Sequence, residues 1–115
     1  MDPTPVLNHL YFPATQPEEL ARWYEDKLGL RREGTHLWAG DSLIVLGEGD
    51  PLPQGPDGRR WHFGFRAPSL GALVHWLEQL RERGVEVGEL EGNADYSSVD
   101  VRDPEGNCVE LFYEG

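Results

Sequence analysis

The sequence has little cysteine, few basic residues and no long hydrophobic run. Its 115 residues include a single cysteine, Cys108, so the chain cannot form an internal disulfide, which is typical of a reducing compartment. Ten lysine and arginine residues stand against 21 acidic ones, and the net charge of −11 disfavours binding to nucleic acid or anionic lipid. The N-terminal stretch MDPTPVLNHLYFPA has no basic segment followed by a long apolar run, so we expect neither a signal peptide nor a membrane span. These absences predict a cytoplasmic protein without nucleic-acid or membrane partners.

The residues that are present predict one globular domain, residues 1–115, built from a repeated order of elements. Hydrophobic residues make up 38% of the chain, which is enough for a core. Segments with strand and helix patterns follow one another as strand, helix and three strands, and this order occurs twice. We therefore predict a first βαβββ module over residues 5–47, a linker rich in Gly and Pro over 48–60, and a second module over 61–114. The segment VEVGEL, residues 85–90, is one of the strands predicted for the second module.

Capping signals predict where the two helices begin and end. Thr15, followed three residues later by Glu18, has the pattern of a capping box at the first helix, which we expect Gly29 to end. Ser69 is predicted to cap the second helix and Gly84 to end it.

A comparison of the chain with itself supports the repeat. A shift of 53 residues aligns His9 with His62, and it also aligns identical pairs that include Phe12 with Phe65, Leu20 with Leu73 and Trp23 with Trp76. A shift of 65 residues aligns the ends of the modules and places Val45 at the position of Glu110. The alternative is that two amphipathic segments resemble each other by chance.

Three potential metal ligands, His9, His62 and Glu110, fall in the middle of predicted strands. Acidic residues are depleted in strands, and a buried carboxylate is costly unless it is paired or binds a metal. Two imidazoles and one carboxylate form a facial ligand set that leaves coordination positions open for substrate or water. Each residue also has an ordinary interpretation, because a lone strand histidine is commonly half-exposed and Glu110 could face solvent on an edge strand. The three residues together with the repeat favour the metal site.

Three stretches resemble motifs of the vicinal oxygen chelate superfamily, which includes glyoxalase I, extradiol ring-cleaving dioxygenases, fosfomycin-modifying enzymes and bleomycin-binding proteins. LNHLYFPATQPEELARWYEDKLGL resembles the opening strand and helix, WHFGFRA is similar to the fifth strand with its histidine, and VRDPEGNCVELFY is similar to the closing D-P-x-G-N-x-x-E-L signature. The resemblance covers nearly all of residues 5–114. It implies an α+β fold in which two βαβββ modules form a curved mixed sheet with a central cleft, and it implies a homodimer.

The resemblance also implies one divalent metal ion as cofactor, which the sequence does not identify as iron, manganese, zinc or nickel. The ligands of the superfamily lie on the first, fourth, fifth and eighth strands, and the matching positions that can coordinate a metal are His9, His62 and Glu110. The fourth-strand position is Val45, which cannot bind a metal. This departure counts against glyoxalase I chemistry and favours the three-ligand members, the extradiol dioxygenases and the fosfomycin enzymes. Completion of the site within one chain or across a dimer stays open.

Strand alternation predicts which side chains share a cavity with those ligands. The predicted substrate-pocket residues are Tyr11, His36, Trp38, Ser98, Arg102 and Phe112. Tyr96 and Arg66 are the predicted catalytic residues, since a phenol can donate a proton and a guanidinium can hold an anionic substrate group. His36 and Arg102 are the alternatives for those two roles. These side chains could instead merely fill the concave face of the sheet.

Two functions follow from these observations. The first is a divalent-metal-dependent lyase, dioxygenase or transferase that acts on a small oxygenated substrate chelated to the metal. The second is a metal-free protein that binds a bleomycin-type antibiotic, and an acidic chain suits such a cationic ligand. Its aromatic cleft would consist of Trp38, Trp61, Tyr96 and Phe112. Because only the first function needs two histidines and a glutamate at the ligand positions, we predict the metalloenzyme; a third alternative is an interaction module without activity.

Overall fold

The computed structural model describes residues 3–115 and contains eight strands and two helices within that range. They are, in chain order, β1 (His9–Ala14), α1 (Pro17–Leu28), β2 (Arg31–Glu33), β3 (His36–Ala39), β4 (Ser42–Glu48), β5 (His62–Arg66), α2 (Leu70–Glu82), β6 (Glu91–Gly92), β7 (Tyr96–Arg102) and β8 (Cys108–Glu114). Neither of these two helices is long and apolar enough to cross a membrane.

The chain forms two compact units, which divide between Asp50 and Pro51. The first unit contains β1 to β4 and α1, and the second contains β5 to β8 and α2. The strand order is β1-β4-β3-β2 in the first sheet and β5-β8-β7-β6 in the second. β1 runs parallel to β4, and β5 runs parallel to β8. The other neighbouring strands are antiparallel. The predicted α+β fold of two βαβββ modules is therefore confirmed.

The strand registers of the two units correspond residue by residue. In the first unit His9 pairs with Leu43, and Tyr11 pairs with Val45. In the second unit the same pairs are His62 with Cys108 and Gly64 with Glu110. The shift of 53 residues for the first strands and 65 for the last strands reproduces both pairs. Val45 and Glu110 thus occupy equivalent backbone positions, as the repeat predicted.

Each unit has its core on the sheet face that its helix covers. Along β1, Phe12 is buried while Tyr11 is exposed, because successive side chains of a strand point to opposite faces. Helix α1 packs against β4 in the first unit, and α2 packs against β8 in the second. The large buried side chains are Phe12, Leu20, Tyr24, Leu37, Ile44 and Leu46 in the first unit and Leu73, Leu77, Leu80, Val99, Val101, Val109 and Leu111 in the second. Burial of each of these side chains stabilises the folded chain by about 1.5–3 kcal/mol. Because the helix covers one face of each sheet, the opposite face remains available for polar residues.

The beginning of α1 differs from the prediction, whereas the start of α2 agrees with it. Gln16 is the N-cap of α1, and Pro17 is its first residue. Thr15 is not the cap because the α conformation is disfavoured for a residue that precedes proline, so Gln16 lies outside the helix. The predicted N-cap at Thr15 is therefore wrong. The hydroxyl of Ser69 accepts the main-chain N–H of Ala72 at 3.1 Å, which confirms that cap.

The strand predicted over residues 85–90 is wrong, and the short β6 lies just after it, at Glu91–Gly92. Asn93 makes the turn that follows: its side-chain oxygen accepts the main-chain N–H groups of Asp95 and Tyr96 at 2.8 and 3.2 Å. This turn places Gly92 and Glu91 opposite Ser97 and Ser98 near the start of β7, where they pair with it. Apolar alternation alone could not locate the turn, because the turn depends on the Asn93 side chain.

Candidate functional site

Glu110 lies on β8 with both carboxylate oxygens hydrogen-bonded. Its backbone is directly opposite Gly64 of β5 on one side and Asp100 of β7 on the other. The Tyr96 hydroxyl donates to Oε1 at 2.9 Å, and Nη2 of Arg59 donates to Oε2 at 3.2 Å. The side chain is 19% exposed, so these two donors replace much of the water that a strand carboxylate would otherwise need.

Arg59 connects this carboxylate to that of Asp100. Its Nε donates to Oδ2 of Asp100 at 2.6 Å, and its Nη2 lies 3.3 Å from Oδ1, so the two groups meet in a fork arrangement. The hydrogen bond to Asp100 raises the pKa of Arg59 above its ordinary value, against the opposing effect of burial. The guanidinium is therefore a fixed positive charge between two carboxylates.

Sequence reasoning missed Arg59, which falls in the segment predicted as a linker. Its side-chain partners, Asp100 and Glu110, are 41 and 51 residues further along the chain. No local sequence pattern connects positions so far apart. The signal that the sequence did offer was an arginine three residues before His62, next to a strand predicted to carry a ligand. The contact depends on the tertiary structure of the second unit.

His62 lies at the start of β5 on the same sheet face as Glu110. It is two residues before Gly64, the residue opposite Glu110, and strand alternation returns its side chain to that face. Its Nδ1 is 2.8 Å from the main-chain carbonyl oxygen of Arg59, which can only accept a hydrogen bond. Nδ1 therefore carries the proton, and Nε2 has the lone pair that a metal ion requires.

His9 has the same arrangement in the first unit. Its Nδ1 is 2.8 Å from the side-chain oxygen of Asn8, so that its Nε2 also has the lone pair. His9 is exposed at the start of β1, and the residue equivalent to Glu110 in this unit is Val45. The second unit therefore has a histidine on its first strand and a carboxylate on its last strand, whereas the first unit has a hydrocarbon at the position of the carboxylate.

The remaining predicted residues of the first unit share the sheet face of His9. His36 pairs with Val45, and Trp38 pairs with Leu43, which places both on the face that also carries Tyr11. The Tyr11 ring lies over Gly47, where a side chain on the glycine would collide with it. The guanidinium carbon of Arg31 lies 5.3 Å from the centre of the Trp38 ring, a cation–π contact.

Tyr96 and Phe112 form an aromatic pair beside Glu110. Their ring centres are 5.9 Å apart in a stacked arrangement. Partial desolvation of this side chain, which is 41% exposed, and after it the hydrogen bond to Glu110, raises the pKa of Tyr96, so the phenol stays protonated at neutral pH. Ser98 pairs with Phe112 across the two strands and completes this part of the face.

The two predicted anion-binding arginines have main-chain partners. Nη2 of Arg66 donates to the carbonyl oxygen of Glu114 at 3.1 Å, and the two side chains are more than half exposed. Nη1 of Arg102 donates to the carbonyl oxygen of Gly58 and, at 3.5 Å, to that of Gly106. Arg66 and Arg102 are the last residues of β5 and β7, and within residues 3–115 the hydrogen-bond donors to the Glu110 carboxylate are Tyr96 and Arg59.

The D-P-x-G-N part of the closing motif builds the turn between β7 and β8. Oδ1 of Asp103 accepts the main-chain N–H groups of Glu105 and Asn107 at 2.9 and 3.0 Å, and its Oδ2 accepts the Asn107 amide at 2.8 Å. The indole N–H of Trp61 donates to Asn107 Oδ1 at 3.1 Å. Asp103 and Asn107 are buried, and these hydrogen bonds satisfy their polar groups. The turn fixes the β7–β8 register and with it the position of Glu110 opposite Asp100.

The donor set on the second sheet is compatible with a metal ion. A carboxylate has about four lone-pair sites, and Tyr96 and Arg59 use two of those on Glu110. Metal-binding histidines usually donate their other N–H to an oxygen, as His62 does to Arg59. Over residues 3–115, no group of three or more His, Cys, Asp or Glu side chains is arranged to hold a metal. Of the three predicted ligands, the second unit contains two, His62 and Glu110.

Comparison with known proteins finds similarity over nearly the whole chain. The sequence model of the Glyoxalase/Bleomycin resistance protein/Dioxygenase superfamily matches residues 6–111. The chain is 29% identical over 126 residues to biphenyl-2,3-diol 1,2-dioxygenase 3 of Rhodococcus globerulus. That match covers 96% of this chain but 64% of the dioxygenase, so the chain spans less than two thirds of that relative's length.

Two solved structures share the fold. A lactoylglutathione lyase from Agrobacterium tumefaciens has a TM-score of 0.77 at 20% identity, with 97% of this chain and 96% of that chain covered. A glyoxalase family protein from Bacillus anthracis has a TM-score of 0.76 at 20% identity, with 100% and 99% covered. At such identities the similarity concerns the fold and does not identify the reaction.

Proposed function

Because the chain belongs to the Glyoxalase/Bleomycin resistance protein/Dioxygenase superfamily, we propose that it is a divalent-metal-dependent enzyme acting on a small oxygenated substrate. The observation that carries this proposal is the pair formed by His62 and Glu110 on one face of two paired strands. Each of these side chains is oriented by a hydrogen bond that leaves donor electron pairs for a metal. His9, the equivalent of His62 in the first unit, is the third proposed ligand.

The metal would polarise the oxygen atoms of a substrate bound to it, which is the chemistry that a site with open coordination positions provides. The residues of the second unit have proposed roles around it. Tyr96 donates a hydrogen bond or proton, since its raised pKa keeps the phenol protonated. Arg66 holds an anionic substrate group, while Ser98, Arg102 and Phe112 contact the substrate. Tyr11, His36 and Trp38, on the face of the first sheet that carries His9, remain predicted substrate contacts.

Ring cleavage of an aromatic vicinal diol is the reaction that we favour within this class. The similarity to biphenyl-2,3-diol 1,2-dioxygenase 3 supports it, although the chain matches only part of that protein. Val45 supports it as well, because it supplies no fourth ligand at the position equivalent to Glu110. Modification of fosfomycin is the other three-ligand reaction, and we place glyoxalase I chemistry behind both.

Metal content is the first test of this proposal. We expect elemental analysis of the purified chain to give about one divalent ion per chain. His62→Ala, Glu110→Gln and His9→Ala should each lose it, whereas His75→Ala should retain it, because His75 is an exposed residue of α2. Full occupancy in His62→Ala would contradict the ligand assignment.

A ligand screen identifies the substrate class. Compounds that bind the folded chain raise its melting temperature. The melting temperature is therefore measured for the metal-loaded and the metal-free protein in the presence of catechols, α-ketoaldehydes, fosfomycin and bleomycin. We expect catechols to stabilise the iron(II)-loaded protein and turnover to follow under oxygen. Stabilisation by bleomycin alone, independent of metal, would favour the metal-free binding protein instead.

We also propose that the protein is a homodimer, in line with the assembly implied by its resemblance to this superfamily. Light scattering coupled to size-exclusion chromatography should give twice the mass of one chain. A mass equal to one chain at all concentrations would contradict the dimer and leave the metal assignment untouched.

A further inference from the structure

Arg59 contacts both candidate ligands of the second unit through different chemical groups. Its main-chain carbonyl accepts the Nδ1–H of His62 at 2.8 Å, and its side chain donates to Glu110 at 3.2 Å. A substitution of the side chain therefore changes the surroundings of Glu110 and leaves the group that orients His62 in place. Substitution of Arg59 can therefore test the effect of its charge on Glu110 without removing the carbonyl group that orients His62.

The guanidinium of Arg59 has a stronger partner than Glu110. Two hydrogen bonds, of 2.6 and 3.3 Å, join it to Asp100, whereas a single one of 3.2 Å joins it to Glu110. The Asp100 and Arg59 side chains are 33% and 37% exposed, and that of Glu110 is 19% exposed. The contact to Glu110 can therefore be given up while Asp100 continues to neutralise the arginine.

We propose that Arg59 is an internal counter-cation that competes with a divalent metal for Glu110, while Asp100 holds the guanidinium when the metal is bound. This inference rests on the proposed function, in which Glu110 is a ligand. A guanidinium and a divalent ion at the same carboxylate repel each other, so the charge of Arg59 lowers the metal affinity of the site. Arg59 is a positioning residue in this scheme.

Variants of Arg59 separate its charge from its size. Mn²⁺ is titrated into the full chain, and free Mn²⁺ is measured by electron paramagnetic resonance. Arg59→Gln removes the charge but keeps a hydrogen-bond donor, and we expect it to bind Mn²⁺ about tenfold more tightly than the wild type. Arg59→Lys keeps the charge and should stay within about threefold of the wild type. A purely structural role predicts weaker binding in both variants.

Arg60→Gln is the matched control. It removes the same charge one residue further along, from an exposed side chain. Screening by solvent and salt should make its effect much smaller than that of Arg59→Gln. An equal effect of the two substitutions would mean that overall charge, and not the contact to Glu110, sets the affinity.

Asp100 provides the second arm. Asp100→Asn removes the stronger partner of Arg59, leaves the guanidinium on Glu110 and should weaken Mn²⁺ binding. In the Arg59→Gln background the same substitution should have a clearly smaller effect, because the competitor is gone, and this difference is the coupling measured by a double-mutant cycle. Additive effects of the two substitutions would contradict the proposal.

The outcomes separate the two proposals. If His62→Ala abolishes Mn²⁺ binding but Arg59→Gln binds no more tightly than the wild type, the role of Arg59 is overturned and the metal site stands. If the wild type, Arg59→Gln and Arg59→Lys all fail to bind Mn²⁺ while their circular dichroism is native, both proposals are overturned. Should Arg59→Gln not fold, Arg59→Met removes the charge with a side chain of similar reach and carries the same expectation.

Discussion

The hydroxyl of Tyr96 donates a hydrogen bond of 2.9 Å to Glu110, which lies 14 residues away in sequence on the neighbouring strand. The contact joins the proposed proton donor to a proposed metal ligand. Desolvation and this hydrogen bond together raise the pKa of Tyr96. The protonation of the phenol is therefore coupled to its contact with the carboxylate. The interaction can therefore be examined by changing pH as well as by mutation.

The Tyr96 hydrogen bond should make stability depend on alkaline pH. Because the pKa of Tyr96 is raised in the folded chain, its contribution is complete below the unfolded value of about 10 and is lost as pH rises through the folded value. Urea unfolding from about pH 8 to pH 11 should show a steeper loss of stability for the wild type than for Tyr96→Phe. Parallel curves would mean that Tyr96 gains no proton affinity on folding.

The turn between β7 and β8 should be sensitive to the loss of one carboxylate. Asp103→Ala leaves two main-chain N–H groups and the buried Asn107 amide without their acceptor. We expect a loss of about 2–4 kcal/mol in the free energy of unfolding, measured with urea. Asp26→Ala, an exposed change on α1, should stay within about 0.5 kcal/mol of the wild type. A loss of that small size for Asp103→Ala would contradict the structural role of the turn.

The indole N–H of Trp61 makes a smaller contribution to the same turn. Trp61→Phe removes the hydrogen bond of 3.1 Å to Asn107 but keeps an aromatic ring near Phe63, whose ring centre is 5.7 Å away. We expect a loss of about 1–2 kcal/mol. Because the two side chains share Asn107, the combined loss in Trp61→Phe with Asp103→Ala should differ from the sum of the single losses. Strict additivity would indicate that the indole does not act through Asn107.

Gly64 should resist substitution because of its contacts with β8. A methyl group there would lie 3.1 Å from the Glu110 carbonyl oxygen and 3.2 Å from the Phe112 ring, so either the strand or the ring must shift. We expect Gly64→Ala to lower the free energy of unfolding by about 1–3 kcal/mol and to weaken metal binding by displacing Glu110.

Gly71→Ala is the control for that substitution. The added methyl group would meet only the Ser69 hydroxyl, at 3.9 Å, and alanine favours the helix, so this variant should gain up to about 1 kcal/mol. Chemical denaturation of both variants measures these changes. A stabilised Gly64→Ala protein would show that β5 has room for a side chain.

Local signals account for the features that the sequence predicted well. The element order, the cap at Ser69 and the equivalence of Val45 with Glu110 all follow from residue patterns within one segment or from a constant shift between segments. The prediction failed where the effect of a single residue outweighed the pattern of the residues around it. Pro17 moved the start of α1 past Thr15, and the Asn93 turn limited β6 to Glu91–Gly92.

The sequence by itself determined the family, the α+β fold of two βαβββ modules and the identity of the candidate ligands His9, His62 and Glu110. Only the tertiary structure decided what surrounds Glu110. The Arg59 guanidinium reaches it across 51 residues of sequence, and the Tyr96 hydroxyl reaches it from the adjacent strand. Hydrophobic periodicity and capping act between near neighbours, whereas the pairing of charges depends on distances in space, which the register of β5, β7 and β8 sets.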